Sequence, residues 1–370
     1  MSDREPAPGD SEDAASPAAF SFALRAAAAL AVALAGASVC VYLNTPLPWL
    51  MGPLVAVAAV CMANGRLVEP PFAREGGQWI IGIALGLYFA PHVVREIARL
   101  SPWIALAVLF SIGLGWFGAW LLTKSVGTDA PTSFFAMAIG GASEMAAQAE
   151  HYGGQVDRVA ASHALRIMLV VLMVPIVFNA LKVHGFDPYT PVAKTFSWPG
   201  FVVLIAITAG AAAVMERLNS PNSWMIGPLL AVAIITATGN SISSLPTVVI
   251  NAGQLLIGVS LGSRFTPEFF RAAPRFLSAV ALISLLYMLL AACFGALLAR
   301  GSGLSWATAT VATTPGGIGE MALTAQALQL GVPIVTAFHT LRLLALLLTI
   351  GVMYRFWQRW MDPSRASSSD

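Results

Sequence analysis

Apolar residues in this chain come in repeated blocks of roughly 16 to 25, the length a helix needs to cross about 30 Å of hydrocarbon at about 1.5 Å per residue. Of 370 residues, 57% are hydrophobic and 10% charged, whereas soluble domains carry about 25% charged residues. A water-soluble fold of this composition would have no surface to show. The chain therefore reads as all-α, a polytopic transmembrane bundle of about 10–12 segments with lipid as its solvent.

The positions of the charges agree. Five of the 18 acidic residues lie in the first 13, and most others flank apolar blocks. A net charge of +2, with basic residues scattered along helix ends, reads as interfacial anchoring and predicts no nucleic-acid partner. Cys40, Cys61 and Cys293 sit in apolar runs without a CxxC spacing, which predicts small buried residues and no disulfide or metal site. Residues 1–18 have almost nothing to bury, and a disordered tail is expected there. The run from Phe20 to Asn44 resembles a cleaved signal segment because of AGAS at residues 35–38, but an internal repeat argues for its retention.

That repeat is a shift of about 176 residues. WLMGPLVAVA at Trp49 returns as WMIGPLLAVA at Trp224, and GQWIIGIALG at Gly77 as GQLLIGVSLG at Gly253. GGASEMA at Gly140 returns as GGIGEMA at Gly316, and HALR at His163 as HTLR at His339. The boundaries that follow are repeat 1 at 19–181, a Pro-containing linker at 182–197, repeat 2 at 198–357 and a polar tail at 358–370. The elements of the first repeat are Phe20 to Asn44, Trp49 to Asn64, Gly77 to His92, Pro102 to Thr123, an interrupted one from Thr132 to Tyr152, and Val159 to Leu181. Duplicated halves with interrupted helices at matching positions are a signature of secondary transporters, with the site where the repeats meet. If all six elements cross, the halves are parallel; if one is re-entrant, they are inverted. The inverted arrangement is favoured here.

Glu144 and Glu320 follow Gly pairs inside apolar segments, where an uncompensated charge costs several kcal/mol. Gly140 and Gly141, or Gly316 and Gly317 after Pro315, break the helix and expose the N-terminus of the next half-helix, which favours an anion. Each Glu is then either a cap on that half-helix or a protonatable, cation-binding carboxylate facing a cavity. Gln148 and His151 share the face of Glu144 at i+4 and i+7; the second copy keeps Thr324 but has Ala327. Arg166 and Arg342, each three residues after a His, are the expected partners, as ion pairs Glu144–Arg166 and Glu320–Arg342 or as binders of an anionic substrate group. His163 and His339 are packing residues or proton relays. Gln78 and Gln254 are candidates to satisfy freed backbone or line a polar path, and Gly82, Gly86, Gly258 and Gly262 have the spacing that lets helices approach closely.

There is no HExxH, GxSxG, Walker loop or dinucleotide fingerprint, so no enzyme activity and no cofactor are expected. Together the four paired motifs resemble the bacterial AbrB-duplication family of membrane proteins, over nearly all of residues 20–357. That resemblance implies a role in regulating gene expression, or an ammonia monooxygenase activity, since members carry both labels. The residues supply neither a DNA-contacting domain nor a metal cluster, so regulation would act indirectly from the membrane. The function expected first is a secondary transporter of a small solute or ion in the cell inner membrane; next a membrane-embedded regulator; a monooxygenase is the remote third. The predicted binding residues are Glu144, Gln148, Arg166, Glu320 and Arg342, supported by His163, His339, Gln78, Gln254, Gly140, Gly141, Gly316 and Gly317. The expected partners are the lipid bilayer and the solute, and the sequence leaves a homo-oligomer open.

Overall fold

A computed structural model describes residues 17–361 apart from 64, 184, 186–188 and 268–272. The expected tail up to residue 16 and the polar end beyond Met361 lie outside the described residues. Among the described residues every regular element is a helix. The first half holds α1 (Pro17–Tyr42), α2 (Pro48–Met62), α3 (Ala73–Gly86), α4 (Pro91–Arg99), α5 (Ser101–Val126), α6 (Ala130–Met137), α7 (Ala142–His151) and α8 (Val156–Ala180). The second holds α9 (Trp198–Arg217), α10 (Ser223–Ala237), α11 (Thr247–Gly262), α12 (Pro274–Ser302), α13 (Trp306–Thr313), α14 (Ile318–Ala327) and α15 (Val332–Met361).

Six of these, α1, α5, α8, α9, α12 and α15, are long and apolar enough to cross a membrane, which makes the chain a multi-pass membrane protein. The element expected from Gly77 to His92 is in fact two helices, α3 and α4, meeting at 93°. Pro91 is the reason: it opens α4 and holds Ala90 extended at ψ 160°. Arg95 and Arg99 lie on α4, with Arg99 bonded to Glu96.

The interrupted elements double back. α6 is eight residues long, about 12 Å, and α7 is ten. Asp129 caps α6 by accepting from Thr132 N at 2.8 Å, and its other oxygen accepts from Gln155 Nε2 at 2.9 Å, beyond the end of α7. Thr132 Oγ1 also accepts from Gln155 N at 2.8 Å. The start of α6 and the end of α7 are thus tied together, and residues 138–141 form the tip of a hairpin. α13 and α14 repeat the device, with Ser305 capping Thr308 N at 3.1 Å and Thr308 Oγ1 accepting from Gly331 N at 3.3 Å.

Helices from the two halves interleave in two modules. In one, α2 packs on α1 and α11, α10 packs on α9 and α3, and α3 meets α11. The other gathers α5, α8, α12, α15 and both hairpins. Close approach in the first depends on missing side chains. A Cβ on Gly258 would meet Leu50 O at 2.6 Å, and one on Gly82 would meet Met225 O at 2.6 Å. Both contacts join opposite halves, which puts the small-residue spacing read from the sequence to its expected use. Gly258→Leu should destabilise the protein by about 1–3 kcal/mol, since the nearest obstructing atom is the backbone oxygen of Leu50. Gly113→Ala, with nothing within 4 Å, should leave thermal unfolding in detergent unchanged or slightly raised.

Candidate binding site between the hairpin tips

Breaking a helix within the membrane creates two charged ends, a carbonyl end on the first half-helix and an amide end on the second. The structure compensates the two ends separately. Arg166, 2% exposed on α8, donates from Nη2 to Ala138 O at 2.9 Å, with longer approaches to Ala136 O and Met137 O. Arg342, 6% exposed on α15, donates to Thr314 O at 2.9 Å and Gly316 O at 2.6 Å. At the other end Glu144 and Glu320 occupy the first turns of α7 and α14. Each curls back on its N-cap glycine, so that a Cβ on Gly141 or Gly317 would fall on the carboxylate.

The expected direct pairs, Glu144–Arg166 and Glu320–Arg342, are therefore corrected. Among the described residues the ion pair formed is Arg99–Glu96, on α4. Each Arg and each Glu answers a different pole of the break, which stabilises both poles where a direct pair would leave them bare.

Both histidines hold the arginines in place. Arg166 Nη2 donates to His163 Nδ1 at 2.9 Å, and Arg342 Nη2 to His339 Nδ1 at 2.9 Å. A guanidinium cannot accept, so Nδ1 must, and Nε2 carries the proton that it donates to Phe135 O at 2.9 Å or Val311 O at 3.0 Å. With both nitrogens engaged, the imidazoles serve as struts, and the relay reading of His163 and His339 loses its free nitrogen.

The two tips meet. Gly140, Gly141, Gly316, Gly317 and Glu320 line one cavity of about 100 Å³ at the contact of the two modules, together with Arg166, Arg74 and Gln78 of the α3 segment, Asn222, Ser260 and Arg264. A smaller space of about 60 Å³ beside it reaches His339 and Arg342. A wider, open cavity of about 580 Å³ shares Arg74, Gln78 and Asn222 and runs along Ser143, Glu144, Ala147 and Gln148. Glu320 thus faces the inner cavity and Glu144 the outer one. Gln78 donates to Asn222 Oδ1 at 3.3 Å on the boundary between them. Gln254 is buried in α11 and lines neither cavity, and His151 is exposed against Tyr152.

Sequence reasoning missed Arg74, Asn222, Ser260 and Arg264. A signal was present for Arg74, which lies four residues before Gln78, and the same spacing joins Ser260 to Arg264. Among the described residues no group of three His, Cys, Asp or Glu could hold a metal ion.

Glu144→Gln and Glu320→Gln should each cost about 0.3–1 kcal/mol, the worth of a charge at a helix terminus. Arg166→Met and Arg342→Met, which leave buried carbonyls unpaired, should cost about 1–3 kcal/mol or more. Chemical unfolding of the four variants in detergent checks the ranking; equal losses would contradict the division of roles.

The sequence matches the family model described as "Transition state regulatory protein AbrB" over residues 49–358. A Bacillus subtilis (strain 168) protein, "Uncharacterized protein YhjN", is 25% identical over 88% of this chain and 91% of its own length. The Escherichia coli (strain K12) protein "Putative regulator AbrB" is 27% identical over 85% of this chain and 90% of its own. No solved structure matches the chain.

Proposed function

We propose that this chain, which belongs to the AbrB family, is a secondary transporter of a small solute or ion in the cell inner membrane, working by alternating access around the cavity between the hairpin tips. One observation carries the reading: tips from both halves of the sequence line a single cavity that shares Arg74, Gln78 and Asn222 with a wider, open one.

Positions one repeat apart support it. Ser143 and Ala147 are exposed in the wide cavity, whereas Gly319 and Leu323, 176 residues on, are buried. Gln148 and Asn222 are half-buried, but their counterparts Thr324 and Leu47 are 0% and 6% exposed. Leu47, Leu323 and Val171 belong to one buried apolar cluster. Equivalent surfaces, wet in one half and dry in the other, are what a duplicated carrier presents when open to one side. Movement of the hairpin module against the interleaved one exchanges them.

Topology fits the same reading. A hairpin does not cross, so if α1, α2, α3, α5 and α8 each do, every half has an odd number of crossings and the halves are inverted. Glu144 and Gln148 then belong to the entrance, Glu320 to the binding cavity, and Arg166 and Arg342 to the rigid tips.

The names of the family model and of the Escherichia coli relative favour a second reading, a membrane regulator whose output passes through a partner protein. Cysteine labelling separates the two. With Cys40, Cys61 and Cys293 replaced, an impermeant maleimide should modify Ala147→Cys from one face of the membrane and Leu323→Cys from the other, each reaction suppressing the other. A Leu323→Cys variant that stays unreactive from both faces, while Ala147→Cys reacts, would remove alternating access and leave the regulatory reading.

A further inference from the structure

The arginines that the sequence made prominent are already committed. Arg166 and Arg342 answer the carbonyl ends of the hairpins, and Glu320 answers an amide end. Arg74 and Arg264 have no such employment. Arg74 makes one hydrogen bond, to Ser143 Oγ at 3.3 Å, and Arg264 has no hydrogen-bond or ion-pair partner among the described residues. Both are half-buried and line the inner cavity, close enough to each other to repel, with Glu320 sharing the space and Glu69 approaching Arg264 from outside the lining. Like charges held together in a confined, partly desolvated space are costly unless an anion joins them.

A second observation is independent of charge. Ser260, 2% exposed and one helical turn before Arg264, lines the same cavity with a hydroxyl that has no hydrogen-bond partner among the described residues. Buried hydroxyls are rarely left so, and this one is available to a ligand.

These groups are also absent from the other half. In the repeat register Arg74 corresponds to Ile250, Arg264 to Tyr88 and Ser260 to Ala84, whereas the His–Arg pairs that brace the hairpins occur in both halves. Residues that the shared architecture does not require need another reason to be there.

We propose that the cavity binds a small carboxylate anion, held by the guanidinium groups of Arg74 and Arg264 and by the Ser260 hydroxyl, with the Gln78 and Asn222 amides beside its polar substituent. The guanidinium fork matches the two oxygens of a carboxylate. A cavity of about 100 Å³ accommodates a ligand of a few heavy atoms. A cation would find one carboxylate, Glu320, facing three arginines. The assignment rests on the transporter reading for the ligand's purpose, not for its binding.

The test uses the full chain in nanodiscs of neutral phosphatidylcholine, with acetate, lactate and pyruvate as probes, acetamide and lactamide as uncharged matches, and nitrate and chloride as inorganic anions. At least one carboxylate should raise the unfolding temperature in a saturable manner while its amide does not. Arg74→Gln and Arg264→Gln should each weaken that binding by roughly tenfold or more, the scale of a lost charged hydrogen bond. Ser260→Ala, which removes no packing volume of consequence, should weaken it several-fold, and Arg264→Lys should bind better than Arg264→Gln. No stabilisation by any carboxylate, equal stabilisation by the amides or by nitrate or chloride, or binding insensitive to Arg74→Gln and Arg264→Gln or to Ser260→Ala would overturn the assignment. Counterflow of the bound carboxylate in proteoliposomes separates the two claims. Binding without uptake keeps the ligand and sinks transport; alternating labelling at Ala147→Cys and Leu323→Cys without carboxylate binding keeps transport and sinks the ligand.

Discussion

A helix interrupted inside a membrane exposes opposite partial charges at its two broken ends, in a medium that cannot solvate either. Here a guanidinium meets each carbonyl end and a carboxylate each amide end, and the rest of the structure is arranged around that solution. The arginines come from α8 and α15, the helices that follow the hairpins, so each hairpin is fixed to its own repeat. His163 and His339 lock the guanidinium orientation by accepting on one nitrogen and donating on the other. Because these charges are used at the tips, α6 and α13 can end there with the carbonyls that follow them hydrogen-bonded.

That arrangement makes the tips rigid and leaves the surface between them polar. The interleaved module supplies the opposite wall: α3 and α10 on one side, α2 and α11 on the other, brought to backbone contact at Gly82 and Gly258. Dense, small-residue packing of that kind gives a firm frame. The contact between frame and hairpin module carries the cavities, with open polar space along α7 and buried apolar residues on α14. A difference between two surfaces that share one repeat cannot come from local sequence propensity alone. It follows from how the two modules are set against each other.

The charge pattern has a corresponding division. Charges that recur 176 residues apart, Glu144 with Glu320 and Arg166 with Arg342, belong to the hairpin architecture. Charges that do not recur, Arg74 and Arg264, face the cavity.

The sequence by itself determined the membrane class, most of the helical elements and the glycine breaks, because each is written in local spacing or in hydrophobic run length. It also marked Glu144, Glu320, Arg166 and Arg342 as buried charges requiring compensation. Only the tertiary structure decided what compensates them, since the poles of a broken helix compete with side chains as partners and that contest depends on geometry. It likewise decided that the interrupted elements fold back, through the Asp129, Thr132 and Gln155 contacts, and that Arg74, Asn222, Ser260 and Arg264 converge. Those four lie up to 190 residues apart in sequence and on different helices, so no periodicity relates them all; their proximity arises from the interleaving of the two halves.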